Sequence, residues 1–364
     1  MRFRTERDEF ADAVAWVSRT VSTRPTLPVL GGTLLELEED RMRMASTDLE
    51  HTGEAVIKVT GEADGRIVVP GRMFGDVVRN LPAGMVEIEA TEGGLNLRCG
   101  QISHELRLLD ADDFPSLVQP TLDRVGTVPG AVLAGAANQV ARAAANDESR
   151  PVLTAVLFEA TSERLTLAAT DSYRLSVREL EWTWEHDDAT ALVPARSLSE
   201  AARALAGEDK VEIGIENHQI TFAGGGRRLT SRLVEGEFPP FRKLLPSGYE
   251  NLATVARQDL LDACKQVAPY GQKDNPIRLG FDKERLEVNG NLQDVGRGAA
   301  VIASKYEGEQ LTVAFNPTYL SEGVSGVDDT EVVLEVRDGL KPALVHGKDP
   351  KGFIYLLMPV RISS

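Results

Sequence analysis

Two stretches of the chain, LPVLGGTLLELEEDRMRMASTDLE at Leu27–Glu50 and RPVLTAVLFEATSERLTLAATDSY at Arg150–Tyr173, are versions of one sequence. Pro28 and Pro151 lie 123 residues apart, and the same shift superposes the Thr-Asp pair near the end of each stretch. A third and weaker copy, NPIRLGFDKERLEVNG, begins at Asn275 and lacks the Thr-Asp pair. Self-similarity at a fixed spacing indicates a repeated architecture.

The second half of each repeat recurs as well. The three versions read VVPGRMFGDVVRNL from Val68, LVPARSLSEAARAL from Leu192 and AFNPTYLSEGVSGV from Ala314. A chain of 364 residues is long enough for two or three domains. The repeats therefore predict three domains, at residues 1–122, 123–248 and 249–364.

Each repeat mixes strand and helix patterns. Runs such as VEIEA and LNLRC alternate apolar and polar residues, which is typical of half-buried strands. Apolar residues at helical spacing indicate two helices per repeat, for example Phe10, Val14 and Val17 in the first helix of the first repeat. The predicted fold class is α+β, with three repeated domains that each contain two helices and antiparallel sheets.

Composition and charge exclude several classes of protein. Hydrophobic residues make up 42% of the chain and charged residues 26%, as in an ordinary globular protein. The net charge of −16 argues against wrapping nucleic acid with the whole surface, although a local basic face remains compatible with it. Cys99 and Cys264 lack neighbours at metal-ligand spacing, so we expect no disulfide, zinc site or cofactor. Without a signal peptide or a spanning segment, we expect a cytoplasmic protein.

Basic residues recur on the helix faces opposite the apolar stripes. Taking about 100° per residue from the helical period, the seven positions that share this face are Arg19, Arg72, Arg79, Arg142, Arg196, Arg203 and Lys265. Acidic Asp76, Glu200 and Glu322 dilute the charge. Each arginine alone would suit a solvated face, but the recurrence indicates a shared function.

A repeated face on a repeated unit has a geometric meaning. Similar rotations between modules bring identical faces to one side, and that side lines a hole if the array closes. Two three-repeat chains joined head to tail would place twelve helices around a weakly positive channel. Such a channel would hold duplex DNA through its phosphates, without reading the bases.

The chain also resembles a known family along its whole length. Seven segments carry the resemblance: RPTLPVL at Arg24, TDLE at Thr47, GRMF at Gly71, DFPSL at Asp113, TDSYRL at Thr170, EFPPFRKLLP at Glu237 and YLLMPVR at Tyr355. They are similar to the beta subunit of bacterial DNA polymerase III, especially its actinobacterial versions. The resemblance implies a head-to-tail homodimeric ring around double-stranded DNA. It also implies partners: the polymerase III alpha subunit, an ATP-driven clamp loader and other proteins that carry a clamp-binding motif.

The resemblance further implies a pocket for short linear peptides. The corresponding residues here are Leu153, Thr170, Ser172, Tyr173, Arg174, Leu175, Pro239, Lys243, Leu244, Leu357, Met358, Pro359, Val360 and Arg361. Apolar side chains would supply contact, and Arg174 would anchor a peptide carbonyl or carboxylate. Among DNA contacts, the resemblance adds the loop residues Arg24 and Arg150 to the helix position Arg72.

A head-to-tail dimer needs a seam between the first repeat of one chain and the third repeat of the other. We expect it around residues 104–108 and 269–277. The seam residues named by this expectation are His104, Leu106, Leu108, Tyr270, Pro276 and Ile277.

Two other interpretations deserve comparison. The repeated Thr-Asp pairs would suit a carboxylate-based enzyme, but the third repeat lacks the pair, and aspartates at strand ends commonly serve turns. No Ser-His-Asp set or phosphate-binding glycine loop supports an enzyme. A divergent second clamp copy, which would protect its host from a clamp-binding inhibitor, is an alternative that the sequence leaves open.

Overall fold

A computed structural model describes residues 1–91, 93–117, 123–216, 218–246, 249–271, 276–349 and 352–361. The predicted domain ends at 122 and 248 and the start of the third sequence copy at Asn275 lie outside these ranges.

The first repeat contains nine strands and two helices among its described residues. In chain order they are β1 (Arg2–Glu6), α1 (Arg7–Val17), β2 (Gly32–Glu38), β3 (Arg41–Thr47), β4 (His51–Lys58), β5 (Thr60–Ala63), β6 (Gly65–Pro70), α2 (Gly71–Arg79), β7 (Met85–Thr91), β8 (Gly94–Cys99) and β9 (Ile102–Leu106).

The second repeat follows the same order with fewer strands in its described part. Its elements are β10 (Val125–Val128), α3 (Gly130–Val140), β11 (Ala155–Ala160), β12 (Leu165–Thr170), β13 (Arg174–Leu180), β14 (Ala189–Pro194), α4 (Ala195–Ala204), β15 (Val211–Glu216), β16 (Gln219–Gly224) and β17 (Arg227–Arg232).

The third repeat has the same plan again. Its elements are β18 (Asn251–Ala256), α5 (Arg257–Val267), β19 (Ile277–Asp282), β20 (Arg285–Leu292), β21 (Gly296–Glu307), β22 (Leu311–Phe315), α6 (Pro317–Ser325), β23 (Glu331–Val336), β24 (Ala343–His346) and β25 (Phe353–Leu357). The prediction of two helices and antiparallel sheets in each repeat is thus confirmed.

The chain folds into two compact units that do not coincide with the three repeats. One comprises Met1–Ala131 and Glu200–Leu233, and the other comprises Val132–Ser199 and Val234–Ser364. The reason is that sheets continue from one repeat into the next, so backbone hydrogen bonds cross the repeat boundary. In the first unit β17 pairs with β4, and in the second unit β25 pairs with β13, both antiparallel.

The sheet order shows how far this continuity extends. The first unit has a five-stranded sheet, β5-β1-β7-β8-β9, and an eight-stranded sheet, β10-β15-β16-β17-β4-β3-β2-β6. The second unit has a twelve-stranded sheet, β14-β11-β12-β13-β25-β24-β23-β18-β21-β20-β19-β22. The strands pair antiparallel throughout the described part of these sheets, which permits the short connections between consecutive strands.

The predicted apolar stripes form the cores. In the first unit Phe10 of α1 meets Phe74 of α2 edge to face, with ring centroids 5.8 Å apart. In the second unit Leu260 and Cys264 of α5 share a core with Leu320 and Val324 of α6. The sequence pattern explains both pairs, because residues three and four apart lie on one helix face.

Two predicted helix positions need a correction. Helices α1 and α3 end at Val17 and Val140, so Arg19 and Arg142 lie in the tight 3-10 turns that follow, at Ser18–Thr20 and Ala141–Ala143. The 3-10 turn tightens the last turn of a helix, which rotates these side chains relative to an unbroken α-helix. Lys265, by contrast, lies within α5 as predicted.

Candidate peptide site and basic helix faces

The TDSYR segment forms a tight turn between β12 and β13. The Thr170 hydroxyl accepts the N–H of Ser172 at 3.1 Å and donates to the carbonyl of Arg174 at 2.6 Å. The Asp171 carboxylate accepts the N–H groups of Tyr173 and Arg174 at 2.9 and 3.1 Å. These bonds hold Ser172 at a φ of 79°, a left-handed conformation that non-glycine residues rarely adopt. Tyr173 is left 61% exposed at the tip of the turn.

The C-terminal strand lies beside this turn. Arg174 and Leu175 of β13 pair with Leu357 and Leu356 of β25. Just beyond the strand, the N–H of Met358 donates to the carbonyl of Tyr173 at 2.9 Å. Tyr173 and Met358, both exposed, are thereby fixed as neighbours although they lie far apart in sequence.

The EFPPFRKLLP segment is the third part of the candidate peptide site, after the turn and the C-terminal strand. A 3-10 turn at Phe241–Lys243 follows Pro240 and buries Phe241 in one cluster with Leu175 and Leu356. Leu244 comes next and is 52% exposed. One apolar cluster therefore supports three segments whose exposed residues are candidates for peptide contact.

The predicted pocket residues divide into a floor and a rim. The buried floor consists of Leu153, Thr170 and Leu175, and the rim, exposed or half-buried, of Ser172, Tyr173, Pro239, Lys243, Leu244, Met358, Pro359, Val360 and Arg361. Leu357, also predicted for the pocket, lies instead in the core of the third repeat with Leu260 and Cys264. Sequence reasoning missed Leu344 and Leu356, which are paired across β24 and β25 and lie in the cluster with Leu175. The strand sequence FIYLL is apolar throughout, so no alternation in it singled out Leu356.

The predicted role of Arg174 as a ligand anchor stays a prediction, and the structure shows that most of its guanidinium is bonded within the chain. Its side chain is only 8% exposed, its Nε donates to Asp171 at 3.1 Å, and its remaining nitrogens reach Glu322, the carbonyl of Arg142 and the Tyr355 hydroxyl. Its guanidinium also lies over the Tyr319 ring, 4.2 Å from the centroid. These contacts engage four of the five N–H groups of the guanidinium, so at most one is left for a ligand. Arg174 instead joins the turn to helix α6.

The charge of Arg174 is well stabilised in this setting. Burial lowers its pKa, but the charge and hydrogen bonds of Tyr355 and Glu322 outweigh burial and raise the pKa above the ordinary value. Burial acts in the opposite direction on the Tyr355 hydroxyl and raises its pKa. Arg174 therefore remains a cation and Tyr355 a neutral donor throughout the physiological range.

The basic residues predicted to face DNA are exposed. This holds for Arg24, Arg72, Arg79, Arg142, Arg196, Arg203 and Lys265. Arg79 pairs with Asp76 on the same helix, and Arg142 donates to the Ser325 hydroxyl at 3.4 Å. Arg150 is also exposed, but it donates to the Ser172 hydroxyl at 3.1 Å, which places it at the edge of the candidate peptide site.

The predicted seam residues lie in different settings. His104 and Leu108 are half-buried, and Leu106 is buried within β9, an outer strand of the five-stranded sheet. Ile277 is fully buried in the core of its own unit, so its predicted role as a seam side chain is wrong. Pro276 is half-buried beside it.

Tyr270, the remaining seam residue, lies against β21. A side chain added at Gly298 would come within 2.6 Å of the Tyr270 ring, so a glycine is required for this close approach. The tyrosine is therefore part of the surface around β21.

Other kinds of site find no support in the part of the chain that the structure describes. No cluster of His, Cys, Asp or Glu there could hold a metal ion. Among the described helices, none is long and apolar enough to cross a membrane.

Three repeats of two helices backed by antiparallel sheets, with basic residues recurring on the helices, define the DNA clamp class. Family models for the N-terminal, central and C-terminal domains of the DNA polymerase III beta subunit match residues 1–118, 127–240 and 242–361. The chain therefore belongs to the DNA polymerase III beta subunit family, the bacterial sliding clamps. It is a non-catalytic processivity factor of DNA replication.

Individual relatives agree with this assignment. The beta sliding clamp of Streptomyces coelicolor is 36% identical, with both chains covered in full. The beta sliding clamp homolog GriR of Streptomyces muensis is 32% identical over 99% of each chain. The crystal structure of a Pseudomonas aeruginosa sliding clamp bound to griselimycin superposes with a TM-score of 0.94 at 28% identity, covering both chains in full.

Proposed function

We propose that two copies of this chain close head to tail around double-stranded DNA. The observation that supports this proposal is a strand pairing between consecutive repeats, which occurs twice within one chain. The last strand of the second repeat pairs with β4 of the first, and the last strand of the third repeat pairs with β13 of the second. Strand β9 of the first repeat stands at the position of β17 and β25, and β21 of the third repeat stands at the position of β4 and β13. These two strands do not pair with each other within one chain as it is described.

Within the described residues, both of these strands have an edge without a paired strand. There, strand β9 is bonded on one side only, to β8. In β21, residues 296–303 pair with β20, whereas the pairing of the opposite edge with β18 begins at Ser304. Open edges are templates for pairing with another chain. A β9–β21 junction between two chains would repeat the two junctions seen within one chain.

Exposed apolar residues at these strands support the same seam. Ile102 of β9, Val301 of β21 and Val295 just before β21 are among the exposed large hydrophobic residues of the described chain. Exposed apolar patches commonly mark association surfaces. The proposed seam comprises His104, Leu108 and Ile102 on one side, and Tyr270, Val301 and the open edge of β21 on the other.

The recurring basic residues would then face the duplex. Arginine and lysine contacts to phosphates fix a protein on DNA without reading its sequence. Binding through Arg24, Arg72, Arg79, Arg142, Arg196, Arg203 and Lys265 should therefore be independent of sequence and weaken with salt. Arg150 would lie at the margin of this set, because it is already bonded to Ser172.

The site around Tyr173, Leu244 and Met358 would receive short linear peptides of partner proteins. The partners are those that family membership implies: the polymerase III alpha subunit, the clamp loader and other proteins with a clamp-binding motif. Apolar side chains on a preformed floor supply contact area, while ordering a flexible peptide offsets much of the gain. Modest affinity would let partners exchange on one clamp. We further propose a cytoplasmic location and domain limits near residues 122 and 248.

The closed ring can be tested by comparing how well the protein is retained on circular and on linear DNA. Clamps loaded by a clamp loader onto nicked circular DNA should stay bound during gel filtration, and linearising the DNA should release them. Equal loss from circular and linear DNA would contradict encirclement. Light scattering at micromolar concentration should report a dimer, and a monomer at every concentration would contradict head-to-tail closure.

A further inference from the structure

The turn of the candidate peptide site occurs a second time, in the first repeat. Leu49 has a φ of 77°, matching the 79° of Ser172, which lies 123 residues later. The Thr47 hydroxyl accepts the N–H of Leu49 at 3.1 Å, and Asp48 accepts the N–H groups of Glu50 and His51 at 3.0 and 2.7 Å. Each of these bonds has its counterpart in the TDSYR turn, so the first unit holds the same backbone frame.

The strand beside the turn is also the same. Thr52 of β4 pairs with Thr230 of β17, just as Leu175 of β13 pairs with Leu356 of β25. The DFPSL segment places Pro115 where EFPPF places Pro239. The frame of the candidate peptide site is therefore reproduced at the β4–β17 junction with different side chains.

A small cavity of about 180 Å³ opens at this second frame. Its lining consists of Thr47, Leu49, Thr52, Glu54, Pro115, Ser116, Leu117, Gln219 and Thr230. Thr47, Leu49, Thr52 and Pro115 stand at the repeat positions of Thr170, Ser172, Leu175 and Pro239, all residues of the candidate peptide site. The rim keeps apolar character, since Leu49 is 47% exposed.

The floor of the second cavity is polar where the first is apolar. Threonines at 52 and 230 replace the leucines at 175 and 356. The Thr47 hydroxyl donates its single proton to the carbonyl of His51 at 3.0 Å, so the Thr52 hydroxyl, 2.9 Å away, must donate to Thr47. The lone pairs of the Thr52 oxygen then remain available as acceptors. The floor thus favours a ligand that brings hydrogen-bond donors.

The charges around the cavity favour a ligand whose hydrogen-bond donor is neutral. Glu54 also lines the cavity, but its carboxylate is held by Arg43 and lies 3.7 Å from Arg228. With two arginines beside it, Glu54 offers little net attraction to a cationic ligand such as lysine. A side-chain amide combines donors with neutrality.

We propose that the β4–β17 junction is a second peptide site, built on the same frame as the first, whose threonine floor selects a peptide with an amide anchor, Gln or Asn. The Thr230 hydroxyl is bonded to Thr221 at 3.2 Å, and the Thr52 hydroxyl donates to Thr47, so an apolar anchor would leave unsatisfied the acceptor lone pairs of Thr52, which disfavours such a ligand. The pairs Thr52/Thr230 and Leu175/Leu356 would thus decide which peptide each junction binds.

The proposal rests on the proposed function of the first site, and titrations with two peptides distinguish the two. Family membership implies a clamp-binding motif of the QLxLF type, and calorimetry of the full-length dimer with a QLxLF-like peptide should give one site per chain. The same peptide with its Leu and Phe replaced by Gln should bind the native chain at a different site and survive Met358→Ala. If the native dimer binds the amide peptide but not the QLxLF-like peptide, the first site is overturned. If the native dimer does not bind the amide peptide, the second site is overturned.

Substituting the two threonines of the floor tests whether they decide which peptide binds. Thr52→Leu with Thr230→Leu should abolish binding of the amide peptide and raise the QLxLF stoichiometry from one to two per chain. Thr52→Ser with Thr230→Ser should keep amide-peptide binding. Should the leucine variant fail to form the dimer, Thr52→Val removes the hydroxyl at constant shape and should still lower amide-peptide affinity at least threefold. A folded valine variant with unchanged affinity would overturn the proposal.

Discussion

The backbone N–H of Met358 donates to the carbonyl of Tyr173 at 2.9 Å, and this bond joins the C-terminal segment to the turn after β12. Both side chains stay exposed beside a common apolar cluster. The bond explains why a C-terminal segment and a mid-chain turn act as one candidate site.

Replacing Met358 with alanine should weaken peptide binding. Met358 is 37% exposed in the free protein, so only part of its side chain would become newly buried. We expect a loss of about 1 kcal/mol, roughly fivefold in Kd. Fluorescence anisotropy with a labelled QLxLF-like peptide measures it. Met85→Ala, at another exposed methionine, should leave affinity unchanged, and an equal loss in both variants would contradict this placement.

Arg174→Met should destabilise the protein. It leaves Asp171 and Glu322 without their cation near the Tyr355 hydroxyl, which we expect to cost about 3 kcal/mol. The thermal midpoint should fall by several degrees, and peptide affinity should fall because the turn loses its support. Arg164→Met is the matched control, since Arg164 has two carboxylate partners but lies at the surface. Equal midpoints in the two variants would argue against the role assigned to Arg174.

The salt dependence of DNA binding should respond to the helix arginines. Arg196→Ala with Arg203→Ala should lower the slope of log K against log salt by roughly 0.9 for each phosphate that the variant no longer neutralises. Binding curves at several salt concentrations measure this slope. Arg285→Ala removes an exposed arginine that is paired with Asp282 near the start of β20, and should leave the slope as it is. A slope unaffected by the double substitution would mean that α4 does not face the duplex.

Val301→Lys should weaken the dimer. The valine is 61% exposed on β21, at the strand that we propose forms the seam. A lysine there would replace an apolar side chain with a charge at the junction, so monomer should appear at micromolar concentration in light scattering. Leu340→Lys changes a residue with a similar exposure of 64% away from that strand. A dimer that survives the change at 301 would require a different seam.

The two thiols should be unreactive in the native protein. Burial raises the pKa of Cys264 to about 12 from an ordinary 9.0, and Cys99 is buried as well. Ellman's reagent at pH 8 should titrate both thiols only after denaturation. Because the unfolded thiol ionises first, stability should fall as pH rises from about 9 towards 12, and Cys264→Ser should reduce that fall. Rapid labelling of native protein would contradict the buried placement.

The sequence by itself determined the repeat, the helix stripes and the family. Helical periodicity and strand alternation are local patterns, so the stripe of Phe10, Val14 and Val17 predicted the buried face of α1 directly. The turn at Thr170 was also readable, because a threonine and an aspartate cap the backbone groups that follow them within a few residues. Exposed basic residues could be predicted from the face opposite each stripe.

Only the tertiary structure decided which side chains are free to bind. Arg174 and Ile277 look available in sequence, yet one is enclosed by partners from α6 and the other lies in a core. Leu356 joins the candidate site because β25 pairs with β13, and the open edges of β9 and β21 follow from strand order. The pairing of β25 with β13 and the bond from Arg174 to Glu322 join residues more than a hundred positions apart, so no local pattern in the sequence records them.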